Sequence, residues 1–253
     1  NGEAIYGTKA SPFPAKPSWG RITASDSTLY LHLYEWRDTI ELTGIKSKVS
    51  SIQLLADPAR KIVWKQEPCG TLGYDRLTVS LPGDAPDANV SVLKVCFDES
   101  LQVENKVIED DSGCIVLSAC LADIHSSDEK PHAAISITGV AKDWINTVDW
   151  LSWEFLCENP GEFDVYVTIS TGFHGIWDFG HRLAVKYEDQ EIQVEISDDG
   201  KPTSGYQKRI FHAGKIQISS EGRHEISLYA LNISCTNRQG IQLSSVSLHP
   251  ANE

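Results

Sequence analysis

Apolar and polar residues alternate with a period of two through most of this chain of 253 residues. In the stretch 163–169, FDVYVTI, every second residue is apolar, and the stretch 29–33, LYLHL, alternates Leu with larger polar side chains. A period of two places alternate side chains on opposite faces of a β-strand, whereas a helix needs a period near 3.6. No segment sustains the helical period. The sequence therefore predicts an all-β fold.

Turn signals separate the predicted strands at short intervals. Examples are Asp57-Pro58, the proline- and glycine-containing stretch 82–86, and Asn159-Pro160-Gly161. Short strands at this spacing are typical of antiparallel sandwiches and barrels. The acidic stretch 98–111 shows little pattern, and we place a domain boundary there. The prediction is two tandem antiparallel β-sandwiches, without the long helices of a (β/α)8 barrel.

The charge balance excludes several kinds of partner. The chain has 22 Lys and Arg against 35 Asp and Glu, a net charge of −13. Nucleic acids and anionic membrane surfaces attract an excess of basic residues, so we expect neither as a partner. No apolar run approaches the ~18 residues of a membrane span. The chain contains no Met and begins at Asn1, from which we expect a longer parent protein.

The six cysteines lack zinc-binding spacing. Four of them, Cys96, Cys114, Cys120 and Cys157, lie in apolar runs, and we expect these as small buried hydrophobes. Their even number permits up to three disulfides, and the pairing stays open.

Residues 1–36 carry a specific pattern. It consists of NGEAIYGT at 1–8, Ser11-Pro12-Phe13, Trp19-Gly20-Arg21 and TLYLH at 28–32. This pattern resembles the junction in α-L-fucosidases of glycoside hydrolase family 29 where the catalytic barrel ends and a C-terminal β-sandwich begins. The resemblance covers about the first hundred residues. It implies that residues 1–12 end the catalytic domain or link to it, that 13–98 form the sandwich, and that 99–112 are a linker.

Residues 113–253 resemble, more loosely, a galactose-binding-like sandwich of jelly-roll type that is appended to some bacterial fucosidases. The resemblance rests on WEF at 153–155, PGEFDV at 160–165, GRH at 222–224 and VSL at 246–248. This pattern mostly marks the scaffold of such a sandwich, and it specifies no ligand.

The family's chemistry is retaining hydrolysis of terminal α-L-fucose by two carboxyl groups. The resemblance places the nucleophile on an upstream (β/α)8 barrel, and no residue of this chain matches its motif, so we assign no catalytic residue and expect the isolated chain to be inactive. The first hypothesis is an accessory region that supports the barrel and binds fucosylated or galactose-containing glycans. The alternative is a purely structural or oligomerisation role. The family implies an extracytoplasmic location, periplasmic or secreted.

The segment 171–181 is the first candidate for a carbohydrate site, because it joins two strands and is rich in aromatic residues, His and Gly. Sugars stack on aromatic faces and hydrogen-bond to nearby polar groups. Trp177 or Phe179 would stack on a sugar ring, and His174 and Asp178 would hydrogen-bond to its hydroxyl groups. The alternative, which we prefer on residue types alone, is that the aromatics fold inward to cover an end of the sandwich or a domain interface.

Trp144 and Trp150 form the second candidate. Trp150 has the opposite parity to Trp153, so the two cannot face the same core. We expect Trp153 inside, and Trp150 facing either a ligand or the first domain. Asp198-Asp199-Gly200 is compatible with a structural calcium ion, but a tight hairpin turn explains it more simply. We expect no other metal or cofactor.

Overall fold

The computed structural model describes residues 2–171, 177–198, 200 and 207–251. The chain divides into two compact units, Asn1–Ser112 and Gly113–Glu253. Regular structure in the described residues is β apart from two 3₁₀ turns, Gly2–Ala4 and Ala119–Leu121, and every strand pair within either unit is antiparallel. The predicted all-β fold is confirmed.

The strands of the first unit are β1 (Lys9–Ala10), β2 (Gly20–Ser25), β3 (Thr28–Leu33), β4 (Thr39–Ile45), β5 (Val49–Leu54), β6 (Val63–Pro68), β7 (Asp75–Ser80), β8 (Ser91–Phe97) and β9 (Val107–Ile108). They form a five-stranded sheet in the order β1-β2-β3-β8-β5 and a three-stranded sheet in the order β4-β7-β6.

The core of the first unit is formed by the alternating apolar residues of both sheets. Leu29 and Leu31 of β3 belong to the same buried cluster as Leu77 of β7. Trp19 is buried in this cluster, and Trp36 and Trp64 pack against it while partly exposed. These three indoles therefore pack with the core of the first unit.

The acidic stretch that follows β8 is fixed to the first unit by hydrogen bonds. Glu104 is buried, and its carboxylate accepts bonds from the backbone N–H groups of Asn105 and Lys106 and pairs with Lys46 Nζ at 2.9 Å. Burial alone would raise the pKa of Glu104, but these bonds hold it below its ordinary value. The acidic stretch therefore packs on the first unit.

The second unit contains two larger sheets. Their strands are β10 (Ile115–Ser118), β11 (Asp123–Ser126), β12 (Ala134–Ile135), β13 (Ala141–Trp144), β14 (Asp149–Cys157), β15 (Gly161–Ser170), β16 (His181–Tyr187), β17 (Gln190–Ile196), β18 (Lys208–Ile218), β19 (Gly222–Asn232) and β20 (Ile241–Pro250). One sheet has the order β11-β14-β19-β16-β17, and the other has the order β12-β13-β20-β15-β18 with β10 also paired to β20.

Parity decides which side chains of β14 reach the core of the second unit. Leu151, Trp153 and Phe155 are at most 1% exposed, whereas Trp150 and Glu154 on the opposite face are partly exposed. The indole of Trp153 donates a hydrogen bond to the carbonyl oxygen of Ser118 at 2.9 Å, which satisfies its one polar atom. The prediction that Trp150 and Trp153 face opposite ways is confirmed.

The expectation that four cysteines are buried is correct only for Cys157. Cys120 is exposed because it lies in the 3₁₀ turn 119–121 rather than in a strand. Cys96 and Cys114 are partly exposed; Cys96 lies between the buried Val95 and Phe97 of β8, on the opposite face. None of the six cysteines, all of which are described, forms a disulfide.

Candidate functional site

The first candidate segment joins β15 to β16. Thr171 and residues 177–180 of this connection are described, but His174 lies outside the described residues. The structure brings Trp177, Asp178 and Phe179 together at the start of β16, next to the turn that precedes β20.

Asp178 is the polar centre of this connection. Its side chain is 2% exposed. Its carboxylate accepts hydrogen bonds from the backbone N–H groups of Asn237 at 2.6 Å, Gln239 at 2.9 Å and Gly240 at 2.9 Å. Both carboxylate oxygens are therefore bonded to the protein's own backbone, and they fasten the turn 237–240 to the segment before β16.

The aromatic rings of this connection pack on each other. Trp177 is 4% exposed and meets Phe179 edge to face, with 4.5 Å between the ring centroids. The carbonyl oxygen of Trp177 accepts a bond from the side-chain amide of Asn237 at 3.2 Å. Phe179 is partly exposed, so it is the ring of this pair that presents surface to solvent.

Trp144 lies on the other side of the same turn. It is fully buried, and its indole donates to the carbonyl oxygen of Asp149 at 3.2 Å. Its own carbonyl oxygen would lie 2.4 Å from a Cβ at Gly240, so the two backbones are in close contact. The two sequence candidates, around 144 and around 177, thus meet at one turn.

Asp149 is a second buried carboxylate that fastens a loop, and the sequence offered no specific signal for it. It is 0% exposed and accepts bonds from the backbone N–H groups of His132 at 2.8 Å and Ala133 at 2.9 Å. Burial by itself would raise the pKa of Asp149. Its hydrogen bonds, including those from Ser126 and the backbone, outweigh burial and lower that pKa below its ordinary value.

A row of aromatic rings crosses the outer surface of the other sheet. His125 of β11 is opposite Trp150 of β14, and Trp150 is opposite Tyr229 of β19. The ring centroids are 5.1 Å apart in the first pair and 5.6 Å apart in the second, with 15° between the planes in each. Lys186 Nζ of β16 lies 5.0 Å from the centroid of Tyr229. We call these four residues the outer aromatic face.

A concavity of about 470 Å³ adjoins Tyr229 at one end of this face. Its floor includes Tyr187 and His224, which are buried and joined by a 2.8 Å hydrogen bond between the phenol and Nδ1. Nε2 of His224 lies 3.0 Å from the carbonyl oxygen of Ser220. Because Nε2 can only donate to that carbonyl, Nδ1 is the acceptor of the Tyr187 hydroxyl. Burial raises the pKa of Tyr187, so the phenol keeps its proton.

The described part of the chain contains no group of three or more His, Cys, Asp or Glu residues that could hold a metal ion. In the turn considered for calcium, Asp198 accepts a bond from the N–H of Gly200 at 2.9 Å. The prediction of a tight hairpin there is wrong, because β17 ends at Ile196, β18 begins at Lys208 and the two strands belong to different sheets. Asp199 lies outside the described residues. Nor does any described helix have the length and apolar character needed to cross a membrane.

The sequence matches no family model and no curated protein. Among solved structures, the α-L-fucosidase from Vibrio sp. strain EJY3 is similar over 99% of this chain, with a TM-score of 0.68 and 19% identity. The Podospora anserina GH26-CBM35 β-(1,4)-mannanase matches 56% of this chain and 28% of its own, at 13% identity and a TM-score of 0.36. The C-terminal CBM6 of LamC, a marine laminarinase from Zobellia galactanivorans, matches 54% of this chain and 98% of its own, at 11% identity and a TM-score of 0.36.

Only the first likeness is strong enough to describe the fold of the whole chain. This chain spans 43% of the length of the Vibrio fucosidase. The two β units therefore have the fold of a region that makes up less than half of a solved α-L-fucosidase.

Proposed function

We propose that this chain is the non-catalytic C-terminal accessory region of a retaining α-L-fucosidase of glycoside hydrolase family 29, and that it supports the catalytic barrel and binds carbohydrate. The observation that carries the proposal is the fold likeness to the Vibrio fucosidase, which extends through both units at a TM-score of 0.68. We further propose an extracytoplasmic location, periplasmic or secreted, for the parent enzyme.

Three of the four buried carboxylates among the described residues are used in ways that support a non-catalytic role. A retaining glycosidase needs two carboxyl groups about 5–5.5 Å apart, on either side of the scissile bond. Asp149 and Asp178 are buried and accept bonds from loop backbone, and Glu104 is buried against Lys46 and its own following residues. Carboxylates held in this way stabilise loops instead of attacking a substrate.

The N-terminal segment supports a role beside a barrel. Ala4 is buried, and its carbonyl oxygen accepts a bond from the hydroxyl of Thr23 at 2.7 Å. Glu3 pairs with Lys94 Nζ at 2.6 Å, so the segment is fixed on the five-stranded sheet. Ile5 and Tyr6 are 60% and 83% exposed, and we propose that these fixed apolar side chains contact the barrel.

The test compares this chain with its parent. The coding region upstream of Asn1 is sequenced, and both proteins are assayed on an aryl α-L-fucoside. We expect the upstream region to encode a (β/α)8 barrel, the parent to hydrolyse the fucoside and the 253-residue chain to be inactive. Hydrolysis by the chain alone, or an upstream region that encodes no barrel, would contradict the proposal.

A further inference from the structure

The outer aromatic face points away from the core of the second unit. Leu151 follows Trp150 in the strand and is 0% exposed, and Leu228 precedes Tyr229 and is also 0% exposed. Since alternate residues of a strand face opposite sides, the leucines lie in the core and the rings face solvent. His125, Trp150 and Tyr229 are each partly exposed, and the side chain of Lys186 is 46% exposed.

The rings lie in a fixed, extended row. The rings lie on three adjacent strands with successive centroids 5.1 and 5.6 Å apart, so the row extends over roughly 10 Å, two strand spacings. Trp150 is stacked between His125 and Tyr229, with centroids 5.1 and 5.6 Å away, and Lys186 Nζ lies over the Tyr229 ring. The partly exposed rings therefore present mainly their edges to solvent. The hydroxyl of Ser152 lies 2.8 Å from Nε2 of His125 and fixes the first ring.

The polar groups beside this row carry both signs of charge. The concavity next to Tyr229 is lined by Lys186 and Arg223, by Glu188 and Glu225, and by Ser227. Lys186 and Arg223 also pair with carboxylates outside this lining, Glu191 at 3.2 Å and Glu154 at 3.7 Å. The surface therefore has more carboxylates than cations, and an anionic polymer is disfavoured there. The same set offers donors and acceptors, which is what a ligand rich in hydroxyl groups requires.

Hydrogen bonds hold two residues that line the concavity. They run from Tyr187 through His224 to the carbonyl oxygen of Ser220. The size of the concavity, about 470 Å³, lies within the range of small-molecule sites. Side chains that are already held by hydrogen bonds lose less conformational entropy on binding than side chains that must be ordered.

We infer that the outer aromatic face and the adjoining concavity bind a neutral oligosaccharide. Its sugar rings pack against the exposed parts of the Trp150 and Tyr229 rings. Its hydroxyl groups donate to Glu225 and accept from Lys186 and Arg223. This inference rests on the proposed carbohydrate-binding function and names its site, which differs from the segment 171–181 that the sequence suggested.

The test uses the full chain on a printed array of neutral oligosaccharides that includes fucosylated and galactose-terminated members, followed by calorimetric titration with fucosyllactose and galactobiose. We expect Trp150→Ala and Tyr229→Ala each to weaken binding by about tenfold or more, since each removes a stacking ring. The matched control is Tyr166→Ala. Tyr166 is a partly exposed ring on the opposite sheet, 5.0 Å from the ring of His212, and its removal should leave affinity unchanged.

Substitutions of exposed side chains test the site in variants that keep the fold. Lys186→Gln and Arg223→Gln change exposed side chains, and we expect each to weaken binding several-fold. Unchanged affinity in these variants and in folded Trp150→Ala overturns the inferred site while the proposed function stands. If Phe179→Ala is the only variant that loses binding, the site lies at 177–179. The inferred site is then wrong, while the proposed function stands. If the unmodified chain binds no oligosaccharide, the inference and the carbohydrate-binding part of the proposed function are both wrong.

Discussion

The buried carboxylate of Asp178 accepts a hydrogen bond from the backbone N–H of Gly240 at 2.9 Å, across 62 positions of sequence. With the two further bonds from Asn237 and Gln239, this contact joins the segment before β16 to the turn before β20. These strands belong to different sheets of the second unit. The carboxylate therefore ties one end of the sandwich together.

Asp178→Asn should destabilise the second unit by about 3 kcal/mol, because the charge is lost and the new NH₂ group opposes a backbone donor. Urea unfolding, monitored by circular dichroism, measures the change. Asp198→Asn is the control, since Asp198 is exposed and accepts a bond from Gly200 in a local turn. Equal loss of stability in both variants would show that the buried hydrogen bonds of Asp178 stabilise the second unit no more than the exposed bond of Asp198.

Gly240→Ala tests the close backbone contact at the same turn. Gly240 has φ of 64°, and an added Cβ would lie 2.4 Å from the carbonyl oxygen of Trp144. Gly200 has φ of 68°, and no atom of the described residues lies within 4 Å of its added Cβ, so Gly200→Ala tests the cost of the left-handed backbone conformation. We expect about 1 kcal/mol for Gly200→Ala and about 3 kcal/mol for Gly240→Ala. Similar melting temperatures would contradict the steric argument.

The strands were predictable because their signal is local. The alternation of residues 163–169 matches their burial in β15, where the odd positions are in the core. The opposite exposure of Trp150 and Trp153 also follows from parity along one strand. A period of two needs no information from distant parts of the chain.

The candidate site was not predictable to the same degree, because it depends on distant partners. The burial of Asp178 is set by the turn 237–240, about sixty residues away. Nothing in the composition of 171–181 specifies that contact. Likewise, the parity of Trp150 shows that it faces outward, but only the register of β14 against β19 places Tyr229 beside it.

The paired tryptophans of β14 should respond differently to truncation. Trp153 is 1% exposed and donates to Ser118, so Trp153→Ala should cost about 3–5 kcal/mol. Trp150 is partly exposed, and its ring contacts are with His125 and Tyr229, so Trp150→Ala should cost about 1 kcal/mol. Thermal unfolding of both variants measures the difference. A larger loss for Trp150 would reverse the assignment of faces.

His181 should make the second unit less stable in mild acid. It is fully buried, and burial lowers its pKa below the ordinary 6.5, although Asp178 partly opposes this shift. Between the lowered pKa and 6.5, the unfolded chain binds a proton that the folded chain does not. The contribution of neutral His181 to the free energy of unfolding is therefore complete above pH 6.5. It is lost as the pH falls from 6.5 toward the pKa of His181 in the folded chain.

His181→Asn separates this effect from that of other groups. His32 in the first unit also has its pKa lowered by burial, so the pH dependence of the unmodified chain alone does not identify His181. Nδ1 of His181 accepts a bond from the N–H of Ser234 at 3.2 Å, and the Asn side-chain oxygen replaces that acceptor without titrating. Unfolding free energies measured from about pH 7 to about pH 5 should therefore fall more steeply for the unmodified chain than for His181→Asn. Parallel curves would show that His181 does not couple protonation to folding.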